Sequence, residues 1–378
     1  MRMRRSGRGT LRRALCAGLL AVALTAQCAL AETVIDGRTD RGITPAPSAP
    51  RAMEPGVSPT TGRALSDLEV PEGFAGYAAT GRYMPMLVQI DNTNGGVGST
   101  APWGVAWADI VYETPLHQAG YTRLSALFSD VIPTAVGPVR SARVGHVWLR
   151  QEWNCGFRYY GGQTRKGSSI KTEFSKLKAK SGVVLFNGTD GQGKPWKKFY
   201  TKRKGTVAPH NRSGNAAAIS ALIPASHRAA ERTFLFTDTP PAGDEAEEIR
   251  IVWGAKGYGS TLIYSAETGA YARFMRQADE SLVPWVDDET GEQICFANVI
   301  IQYTNIRYND SADAPVPTLT GHGNADFFQG GAHVAGMWQR KDMNTPTVFY
   351  DENGQELAIL RGTTLIVQLP FAKEVSYQ

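Results

Sequence analysis

The chain has 378 residues, with 40 Lys and Arg residues against 35 Asp and Glu, which gives a formal net charge of +5. A chain of this length suits two globular domains. Six arginines precede the first acidic residue, and without them the balance is 34 against 35, a net charge of −1. The positive charge therefore belongs to the N-terminus and does not indicate a nucleic-acid partner or another global anionic partner.

The N-terminus has the pattern of a secretory signal peptide. Its basic residues are Arg2, Arg4, Arg5, Arg8, Arg12 and Arg13. An uncharged, mostly apolar run from Ala14 to Ala26 follows, too short to span a bilayer, and Ala29 and Ala31 offer small residues for cleavage. We predict a signal peptide over residues 1–31, cleavage after Ala31, and a secreted or extracytoplasmic envelope protein with no transmembrane anchor after cleavage.

Two other export signals match the N-terminus less well. Arg12 and Arg13 resemble the start of a twin-arginine signal, but the residues after them fit that signal poorly. Cys28 offers a lipidation site, but the bulky Gln27 precedes it where a small residue is usual. The residues therefore favour plain cleavage.

The mature chain keeps two cysteines, Cys155 and Cys295. An oxidising compartment would allow them to form a disulfide. They fall in different predicted domains, so two separate buried thiols are an equally good interpretation. No Cys or His spacing of a zinc site is present, and we predict neither a metal nor a cofactor.

Residues 32–72 are poor in large apolar side chains and rich in proline. The prolines are Pro45, Pro47, Pro50, Pro55, Pro59 and Pro71. Such a segment buries too little apolar surface to offset the entropy lost on ordering. We predict a disordered, Pro-rich linker over 32–72.

Residues 73–238 alternate between strand-like and helix-like patterns. Short apolar runs predict strands over 86–90, 109–113, 122–128, 157–160, 183–186 and 233–236. Helical spacing predicts helices over 141–151, 168–180 and 213–223. The alternation favours an α/β (α+β) N-terminal domain.

The pattern changes after a linker-like stretch of Pro, Gly and acidic residues that starts at Asp238. Over residues 246–378 short β-type runs predict strands at 249–253, 260–264, 270–275, 297–303, 325–329, 334–338, 347–350 and 365–368. We predict a mainly antiparallel β C-terminal domain, as a sandwich or an open barrel.

Several motifs of this sequence resemble a known family. In the first domain they are Ile90–Asn92, Ala108–Glu113, Gly120–Arg123, Gly137–Arg143, Gly161–Gly162 and Ala208–Asn211. In the second they are Gly336–Lys341, Pro346–Gly354 and Arg361–Thr364. Their types and order resemble the N-terminal and C-terminal domains of the YerB-like family. The resemblance implies a secreted or lipid-anchored protein of the bacterial envelope, in a family with no assigned activity.

The sequence departs from that family's pattern in two places. The Arg-Pro-Gln-type stretch that usually follows Asp-Asn is replaced by residues 93–100, and the lipidation signal is missing. The second departure argues against a membrane anchor. From the shared motifs, Asn92, Arg123 and Asn211 join the candidate ligand-binding residues.

Arg140 and Arg143 are the strongest candidates for binding. They flank Ser141, a plausible N-cap of the helix that follows, and a helix start with two guanidinium groups would hold an anion. Ion pairs with Asp91, Asp109 or Glu113 would instead make the arginines structural. Both interpretations remain open at this stage.

His210, Asp91 and Glu113 are the candidates for catalysis. Pro209 precedes His210 in a turn that is predicted to enter a helix, where a histidine could exchange protons. Asp91, Asp109 and Glu113 lie at strand ends, and paired carboxylates could bind a cation or hydrolyse a glycoside. The structural alternatives are a hydrogen-bonded turn histidine and acids that are paired with arginine.

The predicted function is binding or scaffolding of an anionic envelope ligand such as a peptidoglycan fragment, a cell-wall glycan or a peptide. The alternative is an envelope hydrolase or transferase that uses His210 with Asp91 or Glu113. The enzyme would need His210 and a carboxylate within hydrogen-bonding reach, whereas the binder needs the arginines to be accessible. Whether the protein is an enzyme stays open on sequence alone.

Overall fold

A computed structural model describes residues 32–48, 51–92, 102–254, 259–277, 279–309 and 311–378. The predicted signal peptide (1–31) and the unusual stretch 93–100 lie outside these residues. None of the described helices combines the length and the apolar composition that crossing a bilayer requires.

The described residues form mostly β-structure. The strands before residue 240 are β1 (Thr33–Val34), β2 (Met86–Asn92), β3 (Ile110–Pro115), β4 (Thr122–Phe128), β5 (Gly156–Tyr159), β6 (Leu185–Asn187), β7 (Tyr200–Lys202), β8 (Arg212–Gly214) and β9 (Leu235–Thr237). Those after it are β10 (Asp244–Glu245), β11 (Glu248–Val252), β12 (Gly259–Ser265), β13 (Ala270–Arg276), β14 (Leu282–Pro284), β15 (Cys295–Phe296), β16 (Asn298–Thr304), β17 (Ile306–Tyr308), β18 (Pro315–Pro317), β19 (Gly321–Gln329), β20 (Ala332–Arg340), β21 (Val348–Asp351), β22 (Ala358–Leu360), β23 (Thr364–Pro370) and β24 (Glu374–Tyr377).

The helices are few and short. They are α1 (Tyr77–Thr80), α2 (Val144–Trp153), α3 (Ile170–Lys176) and α4 (Ala216–Ser220), with 3-10 turns at Leu65–Asp67, Val105–Trp107 and Pro195–Phe199. Each of the three predicted helices exists, but α3 and α4 are shorter than predicted. The N-terminal part therefore contains more strand than the predicted α/β domain. The local spacing identified the helices but could not show that they are short and cover little of the sheet.

One large sheet contains strands from both predicted domains. Its eleven strands run β10-β20-β19-β16-β23-β3-β4-β2-β5-β6, with β21 beside β20. β23 lies parallel to both β16 and β3, and so joins the C-terminal part to the N-terminal part. A second sheet has seven strands in the order β1-β24-β11-β12-β13-β14, with β15 beside β13. All of its pairs are antiparallel.

Alternate residues of the central strands face opposite layers of the molecule. On one face, Val111 and Val367 belong to a core that includes Ile251 of the second sheet. On the other face, Tyr112 and Ile366 belong to a core that includes residues of α2 and α3. The large sheet is therefore the middle of three layers, with the second sheet on one side and helices on the other.

The segment predicted as a disordered linker is packed onto the rest of the chain in its described parts. β1 pairs with β24. Arg41 donates two hydrogen bonds to the Asp326 carboxylate, at 3.0 and 2.9 Å. Thr60 donates to Asp109 Oδ2 at 2.9 Å. The described parts of this segment are therefore ordered and do not form the predicted disordered linker. Polar contacts with distant residues hold them, and such contacts cannot be predicted from the number of apolar residues in the segment.

The two described cysteines, Cys155 and Cys295, lie in different layers. Cys155 is buried in the core beneath α2, and burial raises the pKa of its thiol to about 12. Cys295 lies on β15 in the second sheet. No disulfide joins Cys155 to Cys295. The bridge between domains that the sequence left open is therefore not part of this structure.

Candidate functional site

The carboxyl ends of the parallel strands β2 and β5 separate around a short segment that contains Arg140. The Arg140 N–H donates to Gln89 O at 2.9 Å, and the Tyr160 N–H donates to Arg140 O at 2.9 Å. Arg140 is thereby held between the two strands by its own backbone. In open sheets, ligands often bind where the carboxyl ends of neighbouring parallel strands diverge.

Asp91, near the end of β2, gathers three basic side chains. His210 Nδ1 donates a hydrogen bond to Asp91 Oδ2. Arg140 Nε lies 3.5 Å from Oδ2, and Arg123 Nη2 lies 3.6 Å from Oδ1. Asp91 is 7% exposed, so this carboxylate meets two guanidinium groups and an imidazole in a largely buried place. We call these four residues the Asp91 cluster.

Arg123 is the most unusual member of the Asp91 cluster. It lies opposite Asp91 in the β2–β4 register and is 2% exposed. Within the described part of the chain, its Nε and Nη1 have no hydrogen-bond acceptor. A buried donor without an acceptor costs about 1–3 kcal/mol. Such a group is a natural contact for an oxygen supplied by a ligand.

The charge of Arg123 persists despite its burial. Burial lowers the pKa of Arg123 to about 9, the charge of Asp91 opposes that change, and the charges of Arg143 and Arg140 add to it. At neutral pH the guanidinium is still protonated. The Asp91 cluster therefore contains a buried positive charge on Arg123. Among the described residues, Asp91 is the one carboxylate that pairs with Arg123, and it also contacts Arg140 and His210.

Arg143 does not join the Asp91 cluster directly. It is the N-cap residue of α2, and its side chain donates from Nε to Asp313 O at 2.8 Å. Its Nη2 lies 3.9 Å from Asp313 Oδ2. Ser141, the predicted cap, donates instead to Tyr160 O at 3.2 Å. Arg143 pairs with none of Asp91, Asp109 and Glu113, because its guanidinium is directed at the Asp313 turn. Arg140 does form the ion pair with Asp91 that the sequence offered as a structural role.

A chain of hydrogen bonds connects the backbones of Arg143 and Arg123. The Arg143 N–H donates to His146 Nδ1 at 3.0 Å, so the ring proton is on Nε2, which donates to Thr114 Oγ1 at 2.9 Å. Thr114 Oγ1 donates in turn to Arg123 O at 3.3 Å. Burial lowers the pKa of His146 well below its usual value, and the charges of Arg123 and Arg143 lower it further. His146 is therefore neutral at pH 7.

Asn92 and Glu113 lie on the other face of the large sheet. Asn92 follows Asp91 on the strand, and successive side chains point to opposite faces. Asn92 Nδ2 donates to Glu113 Oε1 at 3.0 Å, and Arg273 Nη2 lies 2.9 Å from Glu113 Oε2. This group joins the two sheets. Asp91 and Glu113 are thus separated by the sheet, and the hypothesis of a carboxylate pair finds no support in their geometry.

The surroundings of His210 differ from the prediction in one respect. His210 lies in a turn before β8, and α4 begins only at Ala216, so the turn leads into a strand rather than a helix. Asn211 follows His210 and is 8% exposed. Among the described residues, its Oδ1 has no hydrogen-bond donor. Asn211 therefore remains a candidate for a ligand contact beside the Asp91 cluster.

Asp109 lies away from the arginines. Its Oδ2 accepts hydrogen bonds from Thr60 and from the backbone N–H groups of Ser129 and Asp130. Burial raises the pKa of Asp109, and the nearby charge of Asp130 raises it further. In the described residues, no group of three or more His, Cys, Asp or Glu side chains is arranged to hold a metal ion.

Two family models match this chain. Residues 75–229 match the "Protein of unknown function (DUF3048) N-terminal domain", and residues 249–366 match the corresponding C-terminal domain. The chain belongs to this YerB-like family. All four residues of the Asp91 cluster fall within the N-terminal match, and Arg273 and Asp313 fall within the C-terminal match.

Two comparisons extend the family assignment. The chain is 25% identical over 274 residues to a Bacillus subtilis (strain 168) protein named "Putative lipoprotein YerB", covering 71% of this chain and 76% of that protein. A crystal structure of the YerB protein from Bacillus subtilis matches with a TM-score of 0.64 at 22% identity, over 84% of this chain and 99% of that one. The structural match shows that the YerB-like fold is shared.

Sequence patterns did not indicate several residues that support the site. Asp313 accepts a hydrogen bond from Arg143, and Thr114 links His146 to the backbone of Arg123. Arg273 pairs with Glu113. Arg143 and Asp313 are 170 residues apart, and no local spacing signals such a contact. Only the sheet order and register bring these groups together.

Proposed function

We propose that the protein binds an anionic group, a carboxylate or a phosphate, of a cell-envelope ligand such as a peptidoglycan fragment. The binding site in this proposal is the Asp91 cluster. The observation that carries it is Arg123, a buried guanidinium with two N–H-bearing nitrogens that lack an acceptor among the described residues. A bound oxyanion would accept those hydrogen bonds and share the positive charge.

The charge balance around Asp91 supports the same function. Arg123 and Arg140 both approach the single carboxylate of Asp91, and the charge of Arg143 reaches Arg123. Arg140 is partly accessible, with 25% of its side chain exposed. A ligand could therefore reach Arg140 from solvent and extend towards Arg123. A planar guanidinium suits a two-oxygen contact with a carboxylate or phosphate.

The location outside the cytoplasm is part of this proposal. It is supported by the signal-like pattern of residues 1–31 and by the word lipoprotein in the name of the Bacillus relative. The cell wall is rich in carboxylates and phosphates, so an envelope location and an arginine site suit each other.

Calorimetry with a muramyl peptide as the probe tests the binding function. Arg140→Ala should weaken binding by tenfold to a hundredfold, because a hydrogen bond to a charged group contributes about 1.5–3 kcal/mol. Arg140→Lys keeps the charge but loses the planar fork, so its affinity should lie between those of the wild type and Arg140→Ala. Arg307→Ala is the matched control, since it removes an exposed arginine elsewhere. Equal affinity in Arg140→Ala and Arg307→Ala would refute a site at Asp91.

A second candidate function is supported by the contact between His210 and Asp91. A carboxylate that accepts from Nδ1 orients the imidazole and leaves Nε2 of the neutral ring as a proton acceptor, which is the arrangement of a general base. This contact would suit an envelope hydrolase or transferase. Because Glu113 lies on the other face of the sheet, Asp91 is the carboxylate of this alternative.

The two functions make different predictions for His210→Gln. An enzyme loses turnover of a cell-wall glycan or peptide in this variant, while its affinity for the same molecule changes little. A binding protein shows no turnover even in the wild type. Mass spectrometry of muramyl peptides and isolated cell walls after incubation would decide between them, and unchanged substrate with the wild-type protein would exclude the catalytic alternative for those substrates.

A further inference from the structure

The nearly neutral charge of the mature chain hides a strong local excess. Residues 160–214 contain 13 Lys and Arg but only two Asp and Glu. The rest of the chain after residue 31 contains 21 Lys and Arg against 33 Asp and Glu. An uneven distribution of this size creates a local field that bulk charge conceals.

Most of these cations are exposed. The exposed ones are Arg165, Lys166, Lys171, Lys176, Lys178, Lys180, Lys194, Lys198, Lys202 and Lys204. We call this set the lysine band. Among the described residues, only Lys176 of this set forms an ion pair, with Glu173 at 2.7 Å. Arg203, which is half-buried, pairs with Asp288 and Glu289 and is not counted in the band.

The lysine band surrounds one edge of the large sheet. β6 is the last strand at that edge. Next to it, α3 packs through Phe174 into the core on the α2 face. The turn Pro195–Phe199 packs through Trp196 into the core on the opposite face. The band therefore has cations on both sides of the sheet rather than on one plane.

The lysine band also leads to the Asp91 cluster. Lys202 ends β7, which pairs with β8 in a hairpin. Lys204 and His210 both lie in the connection between those two strands. The same hairpin thus carries exposed lysines at one point and a member of the Asp91 cluster at another.

We propose that the lysine band binds an anionic chain polymer with repeated phosphate or carboxylate groups and directs it to the Asp91 cluster. This inference rests on the proposed function and specifies its ligand class. Lysine is a hydrated point charge on a flexible stem, which suits loose attraction along a polymer, whereas a buried arginine suits recognition of one group. The band supplies the first property and Arg123 the second.

A polymer fits the band better than a membrane surface. A planar bilayer can contact only one side of the sheet edge, whereas a flexible chain can contact both. Membrane-surface segments also insert several large apolar side chains. Among the described residues of this stretch, Val207 is the one large apolar side chain that is exposed, at 77%.

Binding to polyphosphate and to poly-L-glutamate, measured as a function of salt concentration, tests the proposal. The variant Lys202→Gln/Lys204→Gln should lose about fivefold in affinity per lysine and show a shallower salt dependence. The control Arg307→Gln/Lys341→Gln removes two exposed cations elsewhere, so its net charge is the same. Affinity for the short muramyl peptide should stay unchanged in both.

Each outcome of these measurements supports or overturns the lysine band as a site for an anionic polymer. An equal loss in the control would mean that net charge alone acts and would overturn the band. Binding of muramyl peptide without binding of either polymer would overturn the band but leave the Asp91 site intact. Tighter binding to phosphatidylglycerol vesicles than to either polymer would replace the polymer with a membrane. A polymer affinity lost only in Lys202→Gln/Lys204→Gln supports the inference.

Discussion

Two clusters on the helix-covered face of the large sheet contain buried arginines that differ in how many of their N–H donors have an acceptor. In the first, Arg123 has one distant partner, Asp91, and two nitrogens without an acceptor in the described chain. In the second, Glu152 of α2 accepts hydrogen bonds from Arg232 and, at 2.7 Å, from the Thr347 N–H. We call Glu152, Arg232 and Arg340 the Glu152 cluster.

In the Glu152 cluster one buried arginine nitrogen, Arg340 Nη1, has no hydrogen-bond acceptor among the described residues. Arg340 donates from Nε to two backbone carbonyls and from Nη2 to two more, and its Nη1 lies 3.4 Å from Glu152 Oε2. Arg232 also stacks on the Trp153 ring at 4.1 Å. Burial raises the pKa of Glu152, but the charges of Arg340 and Arg232 lower it more, so the net change is downward.

The difference between the clusters separates structure from function. Both bury arginine at the same kind of place, so burial alone does not mark a binding site. Donors without an acceptor do not mark one by themselves either, since Arg273 has two such nitrogens, Nε and Nη1, and still pairs with Glu113 between the two sheets. Within these two clusters, the difference is that Arg123 has two such nitrogens and a partly exposed neighbour, Arg140, whereas Arg340 has one. Arg232 and Arg340 hold elements together, whereas Arg123, with two unused donors next to the partly exposed Arg140, is placed to meet an acceptor supplied by a ligand.

The largest expected effect is in the Glu152 cluster. Glu152→Ala should lower the free energy of unfolding by about 3–5 kcal/mol, because it leaves two buried arginines without their shared carboxylate. Glu280→Ala is the control, since Glu280 pairs with Arg276 but is 76% exposed, and it should cost less than about 1 kcal/mol. Urea unfolding measures both. Similar losses of unfolding free energy in Glu152→Ala and Glu280→Ala would contradict the structural role given to the Glu152 cluster.

Asp109 shows the opposite case, a buried acid that forms no ion pair with a basic side chain among the described residues. Its pKa is raised, so the folded state holds its proton to higher pH than the unfolded state does, and stability falls as pH rises from about 3.8 through the raised value. Asp109→Asn keeps an oxygen for Thr60 and the backbone N–H groups. It should raise the free energy of unfolding at pH 7 by on the order of 1 kcal/mol.

Thermal melts across pH check the Asp109 prediction. The gain of Asp109→Asn over wild type should shrink as pH falls below the ordinary aspartate range, where the wild-type carboxyl is protonated in both states. Asp238→Asn, at an acid that is 79% exposed, should show no such trend. A loss of stability in Asp109→Asn at pH 7 that disappears at acidic pH would show that the carboxylate is needed in its charged form.

The smallest effect on stability is expected at Arg123. Arg123→Met removes a buried charge with few bonds, while Arg140 and His210 still partner Asp91. Replacement of a poorly paired buried charge by an apolar group is often neutral or stabilising. We expect unfolding to change by less than about 1 kcal/mol and muramyl-peptide binding to be lost. A loss of several kcal/mol would place Arg123 with the Glu152 cluster as a structural residue.

Local patterns predicted the elements better than their arrangement. Alternation and apolar runs identified β2, β4 and most other strands to within a few residues, since the residues that face each side of a strand alternate along its own sequence. The helix cap was missed, because Arg143 caps α2 through its backbone contact with His146 rather than through a side chain typical of caps. The order of strands has no such local signal.

The candidate site was predicted in part. Arg140 and His210 were candidates for different functions, and the structure brings both to Asp91. Arg143 and Glu113 were also candidates, but Arg143 contacts Asp313 and Glu113 lies on the opposite face of the sheet. Whether a side chain at a strand end faces one layer or the other depends on register, which the sequence alone left open.

The position of β23 restricts how this protein can be divided. Residues 364–370 lie between β16 and β3, so one neighbour of β3 comes from outside the N-terminal family match, which ends at residue 229. A fragment that ends at residue 229 would present β3 as a bare edge, with unpaired N–H and C=O groups that favour aggregation. The same edge of β3 stays open during synthesis until residues 364–370 have been made, so this part of the large sheet cannot form before β23 is available.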